Sequence, residues 1–186
     1  MRVLRAAAPA VAAPLPPATL DVRDVEREAA VTRLFASEAV QLQRLAALLG
    51  AGHEAEDVVA EAFCDLHRRW GKLRDPETAP AYLRSVVCNL VRMRLRHLAV
   101  VRRHAPGAPP EVGSAESEVV LREDQVEVVR ALRGLPERQR EALVLRYWMD
   151  LRESEVAAAM GISAGSVKVH TSRGMAALTR ALEGTR

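Results

Sequence analysis

The stretch ESEVAAAMGISAGSVKVHTSRGMAALTR, residues 153–180, decides how the C-terminal end folds. From Glu153 to Met160 the apolar residues Val156, Ala157 and Met160 have the spacing of a short helix with one inward face. Gly161 supplies a turn, Ile162 plugs the angle between two helices, and Ser163 stands where an N-cap belongs. Beyond it Val167, Thr171, Gly174 or Met175, Leu178 and Leu182 recur every three or four residues, so that side is expected to be buried. Ser166, Lys168, Val169, Ser172 and Arg173 are left facing out. A short helix, a Gly turn and a capped second helix with small polar and basic exposed residues is the helix-turn-helix pattern, whose second helix enters the major groove of DNA. Lys168 and Arg173 suit phosphates or guanine, Ser166 and Ser172 suit either phosphate or base, and Val169 suits a thymine methyl.

Working upstream, residues 118–133 read as a helix interrupted at Gly134. Pro136 starts the next, with Ala142, Leu143, Leu145 and Trp148 on its apolar side. Residues 105–120 contain Pro106, Gly107, Pro109, Pro110 and Gly113 and then turn acidic, which reads as a flexible linker. Before it, Phe35 to Leu49 is apolar at helical spacing and stops at Gly50-Ala51-Gly52. In the segment from Glu54 to Trp70, Val58, Val59, Ala62, Phe63, Leu66 and Trp70 form one face, and Glu54, Asp57, Glu61 and Asp65 line another. A loop from Gly71 leads to a third helix, from Pro80 or Ala81 to about Arg103. Leu83, Val87 and Leu90 are expected inside, with Arg84, Asn89, Arg92, Arg96 and Arg103 mostly outside. Residues 1–20 are rich in Ala and Pro. Their prolines interrupt any signal-like apolar run, so they read as a disordered arm.

No window alternates as a strand does, and the expected fold is all-α: two small helical domains, 21–104 and 121–186, joined by the linker. Charge is segregated along the chain. Residues 21–66 hold four basic and ten acidic side chains, a net −6, while residues 67–104 hold ten basic and two acidic, a net +8. Residues 105–128 carry one basic and six acidic side chains (−5), and residues 129–186 carry ten and six (+4). Two basic blocks set between acidic ones suggest two polyanion-facing surfaces and at least one surface for a basic partner. The basic strip Arg84, Arg92 and Arg96 with Asn89 pairs phosphate donors with an amide able to read a base edge. Trp70 beside Lys72 offers an aromatic against which an unstacked base can rest.

Two cysteines make no disulfide framework, and no apolar run approaches the length of a membrane span, so the expected compartment is the cytoplasm. Phosphate-binding GxxxxGK[ST] loops and HExxH helices do not occur. Cys64 with His67 and His53 lacks the partner pair that would complete a metal site. The expectation is a binding protein with no cofactor, metal or catalytic residue.

Three stretches together resemble the minimal, extracytoplasmic-function branch of bacterial RNA polymerase sigma factors, in the sigma-70 family. They are EAEDVVAEAF from Glu54, continuing to Trp70; AYLRSVVCNLVR from Ala81; and LPERQREALVLRYW from Leu135, continuing through Met160-Gly-Ile-Ser to Ser172-Arg-Gly. The resemblance implies that the helix matching Glu54–Trp70 docks on the clamp helices of the largest polymerase subunit. Glu54, Asp57, Glu61 and Asp65 then form the docking stripe, with Ala60 where a Gln is common. It implies that Trp70, Lys72, Arg84, Asn89, Arg92 and Arg96 melt and bind the minus-ten element. Ser166, Lys168, Val169, His170, Ser172 and Arg173 would bind the minus-thirty-five element, with Val169-His170-Thr171 departing from the usual residues. The partners implied are core RNA polymerase, including its flap region, promoter DNA and, as in much of the family, an anti-sigma factor; no membrane is implied.

Overall fold

The structure is a computed structural model that describes residues 22–104 and 123–184. The N-terminal arm, the whole of the linker and the stretch 118–122, where a helix is expected from the sequence, lie outside the described residues. Helix α1 spans Val22–Leu49, α2 Ala55–Arg69 and α3 Ala79–His104. After the linker come α4 (Glu123–Arg133), α5 (Glu137–Leu143), α6 (Glu153–Met160) and α7 (Ala164–Glu183). No strand occurs among the described residues.

The first three helices form a bundle for the reason the apolar periods give. Leu42, Leu45, Ala46 and Leu49 of α1 meet Val58, Val59, Ala62, Phe63 and Leu66 of α2 and Leu83, Val87 and Val91 of α3, all buried. Burial of each such aliphatic side chain contributes about 1.5–3 kcal/mol. Gly50 ends α1 at φ +111°, a left-handed conformation that a side chain would strain, and its N–H donates back to Ala46 O at 3.1 Å. Glu56 and Asp57 sit in the first turn of α2 and Arg68 and Arg69 in its last, matching the helix dipole at both ends. Asp75 accepts from Glu77 N at 2.9 Å and so caps the short turn Pro76–Thr78 that leads into α3.

The second half is built on α5, α6 and α7. Helix α5 runs into a π-helical turn, Val144–Trp148. That turn accommodates an extra residue, which rotates the subsequent side chains out of phase with the α-helical period. Trp148, expected on the apolar side, is therefore turned outward and is 52% exposed, while Met149 takes the inward position. Along α7 the buried choice between Gly174 and Met175 falls on Gly174, whose missing Cβ would lie 3.2 Å from Gln139 O and from Leu143. Only a glycine lets α7 approach α5 this closely.

The two halves share one continuous core. Arg92, expected to face solvent, is buried at 8% exposure, because α3 packs its far side against α6. There Arg92 donates to both carboxylate oxygens of Glu141, at 2.9 and 3.2 Å, and to Met160 O at 3.2 Å.

Candidate nucleic-acid interface

Helix α7 exposes four of the five residues that its sequence pattern leaves facing out, and Ser166 is the exception. Ser163 has extended backbone and its Oγ accepts from Ser166 N at 3.2 Å, closing the helix start. Gly161 turns the chain at φ +65°. Lys168, Val169, Ser172 and Arg173 are exposed. Lys168 lies 3.9 Å from Glu153 at the start of α6 and is nearly free in solvent. Ser166 and His170 are half-buried, and the Ser166 hydroxyl is shared with Ser163 Oγ at 2.9 Å. Beside this surface runs a groove walled by Arg146, Tyr147, Lys168, Met175 and Arg180. Tyr147 is 60% exposed there, an aromatic that the helical period alone does not place outside.

The acidic stripe of α2 is less uniform than its spacing suggests. Glu54 and Glu61 are bridged by Arg94 from α3, at 3.2 and 3.1 Å. The carboxylate of Asp65 accepts from Tyr82 Oη at 2.5 Å and from Arg68 and Arg69 at 3.2 Å each. The Tyr82 hydrogen bond is the main cause that holds the Asp65 carboxyl below its usual 3.8. Burial, followed by the Asp65 carboxylate, pushes Tyr82 up to about 12. Asp57 is exposed and takes part in no ion pair among the described residues.

The basic strip of α3 divides in the same way. Arg96 is exposed, with Nε donating to Arg92 O at 3.3 Å, and Arg84 is half-buried. Asn89 is exposed, but its amide oxygen accepts from Arg92. Trp70 is half-buried against the bundle core, and Lys72 beside it is exposed. Arg94, Tyr82, Arg138 and Glu141 carry contacts that the sequence pattern does not single out. Glu141 gives a signal, since it precedes Leu145 by one helical turn on the buried face of α5. Burial raises the Glu141 carboxyl above its ordinary value, against the opposing pull of Arg92 and Arg138. Cys64 is exposed and Cys88 buried, and no three His, Cys, Asp or Glu gather as a metal site among the described residues.

Comparison with known proteins places the chain in one family. The model for sigma-70 region 2 matches residues 34–100, and that for sigma-70 region 4 matches residues 125–178. The RNA polymerase sigma-E factor of Streptomyces antibioticus is 33% identical over 132 residues, covering 70% of this chain and 71% of that protein. The ECF RNA polymerase sigma factor SigM of Mycobacterium tuberculosis is 29% identical over 154 residues, covering 82% and 77%. Two solved structures share the fold. The sigma factor RpoE of Bartonella quintana, co-crystallised with the anti-sigma factor NepR, has a TM-score of 0.67 at 22% identity over 89% of this chain and all of that one. CnrH, in complex with the cytosolic domain of CnrY, has a TM-score of 0.65 at 21% identity over 87% of this chain and 97% of that one. With both family models matched in order and relatives covered over more than two thirds of their length, the chain belongs to the sigma-70 family of RNA polymerase sigma factors, in its extracytoplasmic-function branch, and serves transcription initiation with core polymerase at promoter DNA.

Proposed function

We propose a division of labour among these faces. The exposed side of α2, centred on Asp57 with Glu61 and Glu54 beside it, docks on the basic clamp helices of the largest polymerase subunit. Trp70 and Lys72, with Arg84, Asn89, Arg92 and Arg96 of α3, open and hold the minus-ten element. Ser166, Lys168, Val169, His170, Ser172 and Arg173 contact the minus-thirty-five element as duplex, with the polymerase flap region supporting this half from behind. The chain works in the cytoplasm without a catalytic centre or cofactor of its own, and an anti-sigma factor of the kind bound to its structural relatives is its natural antagonist.

The observation that carries this reading is the capped α7 with Lys168, Val169, Ser172 and Arg173 exposed together, on a chain whose other half exposes Asp57. Polymerase fixes the distance between the two DNA contacts, so each needs only modest affinity, and the linker supplies effective concentration. Trapped unstacked bases offset an unpairing cost of a few kcal/mol. The experiment mixes the protein with sigma-free core polymerase and reads promoter-dependent transcripts from genomic DNA. Initiation is expected from a subset of promoters, and the double variant Asp57→Arg, Glu61→Arg is expected to lose core binding while the full chain still binds DNA. Failure of the wild type to bind core would defeat the assignment, and retained core affinity in the double variant would remove α2 from the docking role.

A further inference from the structure

The acidic stripe of α2 carries its own counter-ions. Arg94, on α3, brings Nη1 to Glu54 Oε2 at 3.2 Å and Nη2 to Glu61 Oε2 at 3.1 Å, so one guanidinium spans both carboxylates. Its Nη1 also donates to the carbonyl oxygen of Glu54, just ahead of α2, at 3.2 Å. At the far end of the stripe Arg68 and Arg69 hold Asp65. Four carboxylates thus face three guanidiniums, which leaves the stripe a net charge of −1. Asp57 lies one helical turn from both Glu54 and Glu61 and is the member without an ion pair among the described residues.

The three arginines are not equivalent. Arg68 and Arg69 stand on α2 itself, three and four residues from Asp65, where a helical period brings opposite charges together. Arg94 reaches the stripe from another helix, 40 residues from Glu54 and 33 from Glu61, and its side chain is only 27% exposed. Exposed pairs of this kind add little to folding stability, because water screens them and both side chains lose freedom. Their effect on a visitor is larger. A guanidinium forked between two carboxylates fills the acceptors that a basic side chain would use, and it opposes the approach of that side chain as a like charge.

We propose that Arg94 is an internal counter-ion that attenuates docking: it occupies Glu54 and Glu61 in the free protein and leaves Asp57 to make first contact with a basic partner. The proposal rests on the assignment of this face to the basic clamp helices. A single cation finds one free carboxylate here. A helix carrying several Lys or Arg side chains can engage Asp57 and then share Glu54 and Glu61 with Arg94, since each carboxylate has about four acceptor sites. The arrangement therefore favours a multiply basic surface over an isolated positive charge, and it acts on the rate of encounter, where charges at an interface have most influence.

The test measures association of the full-length chain with immobilised sigma-free core polymerase by surface plasmon resonance. Arg94→Gln keeps a donor for the Glu54 carbonyl and removes the charge, which takes the stripe from −1 to −2. Association is expected to be roughly two- to five-fold faster than wild type at about 50 mM salt. The gap should close toward about 400 mM, as the Debye length falls from about 14 to about 5 Å. Arg103→Gln removes the same charge from the exposed end of α3, away from the stripe, and should leave the rate unchanged. A structural clip alone predicts a lower melting temperature with unchanged or slower association, and that result overturns the proposal. Equal acceleration by Arg103→Gln also overturns it, since net charge would then be the cause. Should Arg94→Gln lose its helical circular dichroism, two carboxylate variants decide. Asp57→Asn is expected to weaken core affinity more than Glu54→Gln, and an equal or greater loss in Glu54→Gln shows that Arg94 does not withhold that carboxylate. If the double variant Asp57→Arg, Glu61→Arg loses core binding while Arg94→Gln associates as wild type, docking on α2 stands and the role of Arg94 falls. If the wild type does not bind core, both fall.

Discussion

Removing the Asp65 carboxylate tests whether that residue belongs to the docking stripe or to the inside of the bundle. In Asp65→Ala the Tyr82 hydroxyl loses its acceptor at 2.5 Å, and Arg68 and Arg69 lose theirs at 3.2 Å. A hydrogen bond to a charged group contributes about 1.5–3 kcal/mol. The two arginines are 67% and 60% exposed, so their pairs add at most a few tenths of a kcal/mol each. The sum is about 2 kcal/mol, or roughly 4–8 °C of melting temperature if the described helices unfold as one unit. The dependence on pH comes from the two shifts. Asp65 is held below 3.8, so its contribution is complete above the unfolded value and fades as pH falls through the folded one. Tyr82 is raised from 10.0 to about 12, so the same bond is complete below 10 and is lost as pH rises through about 12. Calorimetry of both proteins should therefore show a gap that is flat from about pH 5 to pH 9 and closes toward acid. Core-polymerase affinity should stay within about three-fold of wild type, since a side chain already held by three donors has little left to give a clamp helix. An unchanged melting temperature together with a ten-fold or greater loss of core binding would reverse the assignment and return Asp65 to the stripe.

Other variants probe the second half. Ser163→Ala removes the cap on Ser166 N and should cost about 1 kcal/mol, read as a lower midpoint in urea with unchanged slope. Gly174→Ala places a methyl 3.2 Å from Gln139 O and Leu143, which calls for a loss of about 1–3 kcal/mol, whereas Met175→Ala at the exposed neighbouring position should cost little. Lys168→Ala should weaken duplex binding of all sequences alike and lower the slope of log affinity against log salt by about 1, because Lys168 is solvated and only 3.9 Å from one carboxylate. A change in base preference instead would make Lys168 a reader of sequence.

Much of this fold is legible because its signals are local. The stops at Gly50 and Gly161, the cap at Ser163 and the 3.6-residue period of α2 each act within a turn or two, and the helices end where those residues direct. The period misplaces Trp148 because it assumes an uninterrupted α-helix, and the π-helical turn at Val144–Trp148 advances the phase by one residue. Spacing locates the acidic stripe as a face but cannot distinguish the unpaired Asp57 from Asp65 and Glu54, which are engaged. That difference depends on Tyr82 and Arg94 of α3, which lie 17 and 40 residues from Asp65 and Glu54.

Arg92 marks the limit of reading a helix by its own period. Helix α3 has two buried sides. Leu83, Val87 and Val91 meet α1 and α2, and this side is visible as a run of aliphatic residues. Cys88 and Arg92, one turn apart, lie toward the second half of the chain, where a thiol and a guanidinium give no apolar signature. An arginine on the edge of an apolar stripe ordinarily faces water, and it can do otherwise only if a carboxylate arrives from elsewhere. Here Glu141 arrives from 49 residues away, carried on a buried face of α5 that also lacks an apolar signature at that position. Each charge looks misplaced in its own helix, and the two make sense only as partners. A lone Arg in one amphipathic helix and a lone Glu on the inner face of another are therefore candidates for pairing, and in this chain that pairing joins α3 to α5 across the boundary between the first three helices and the second half.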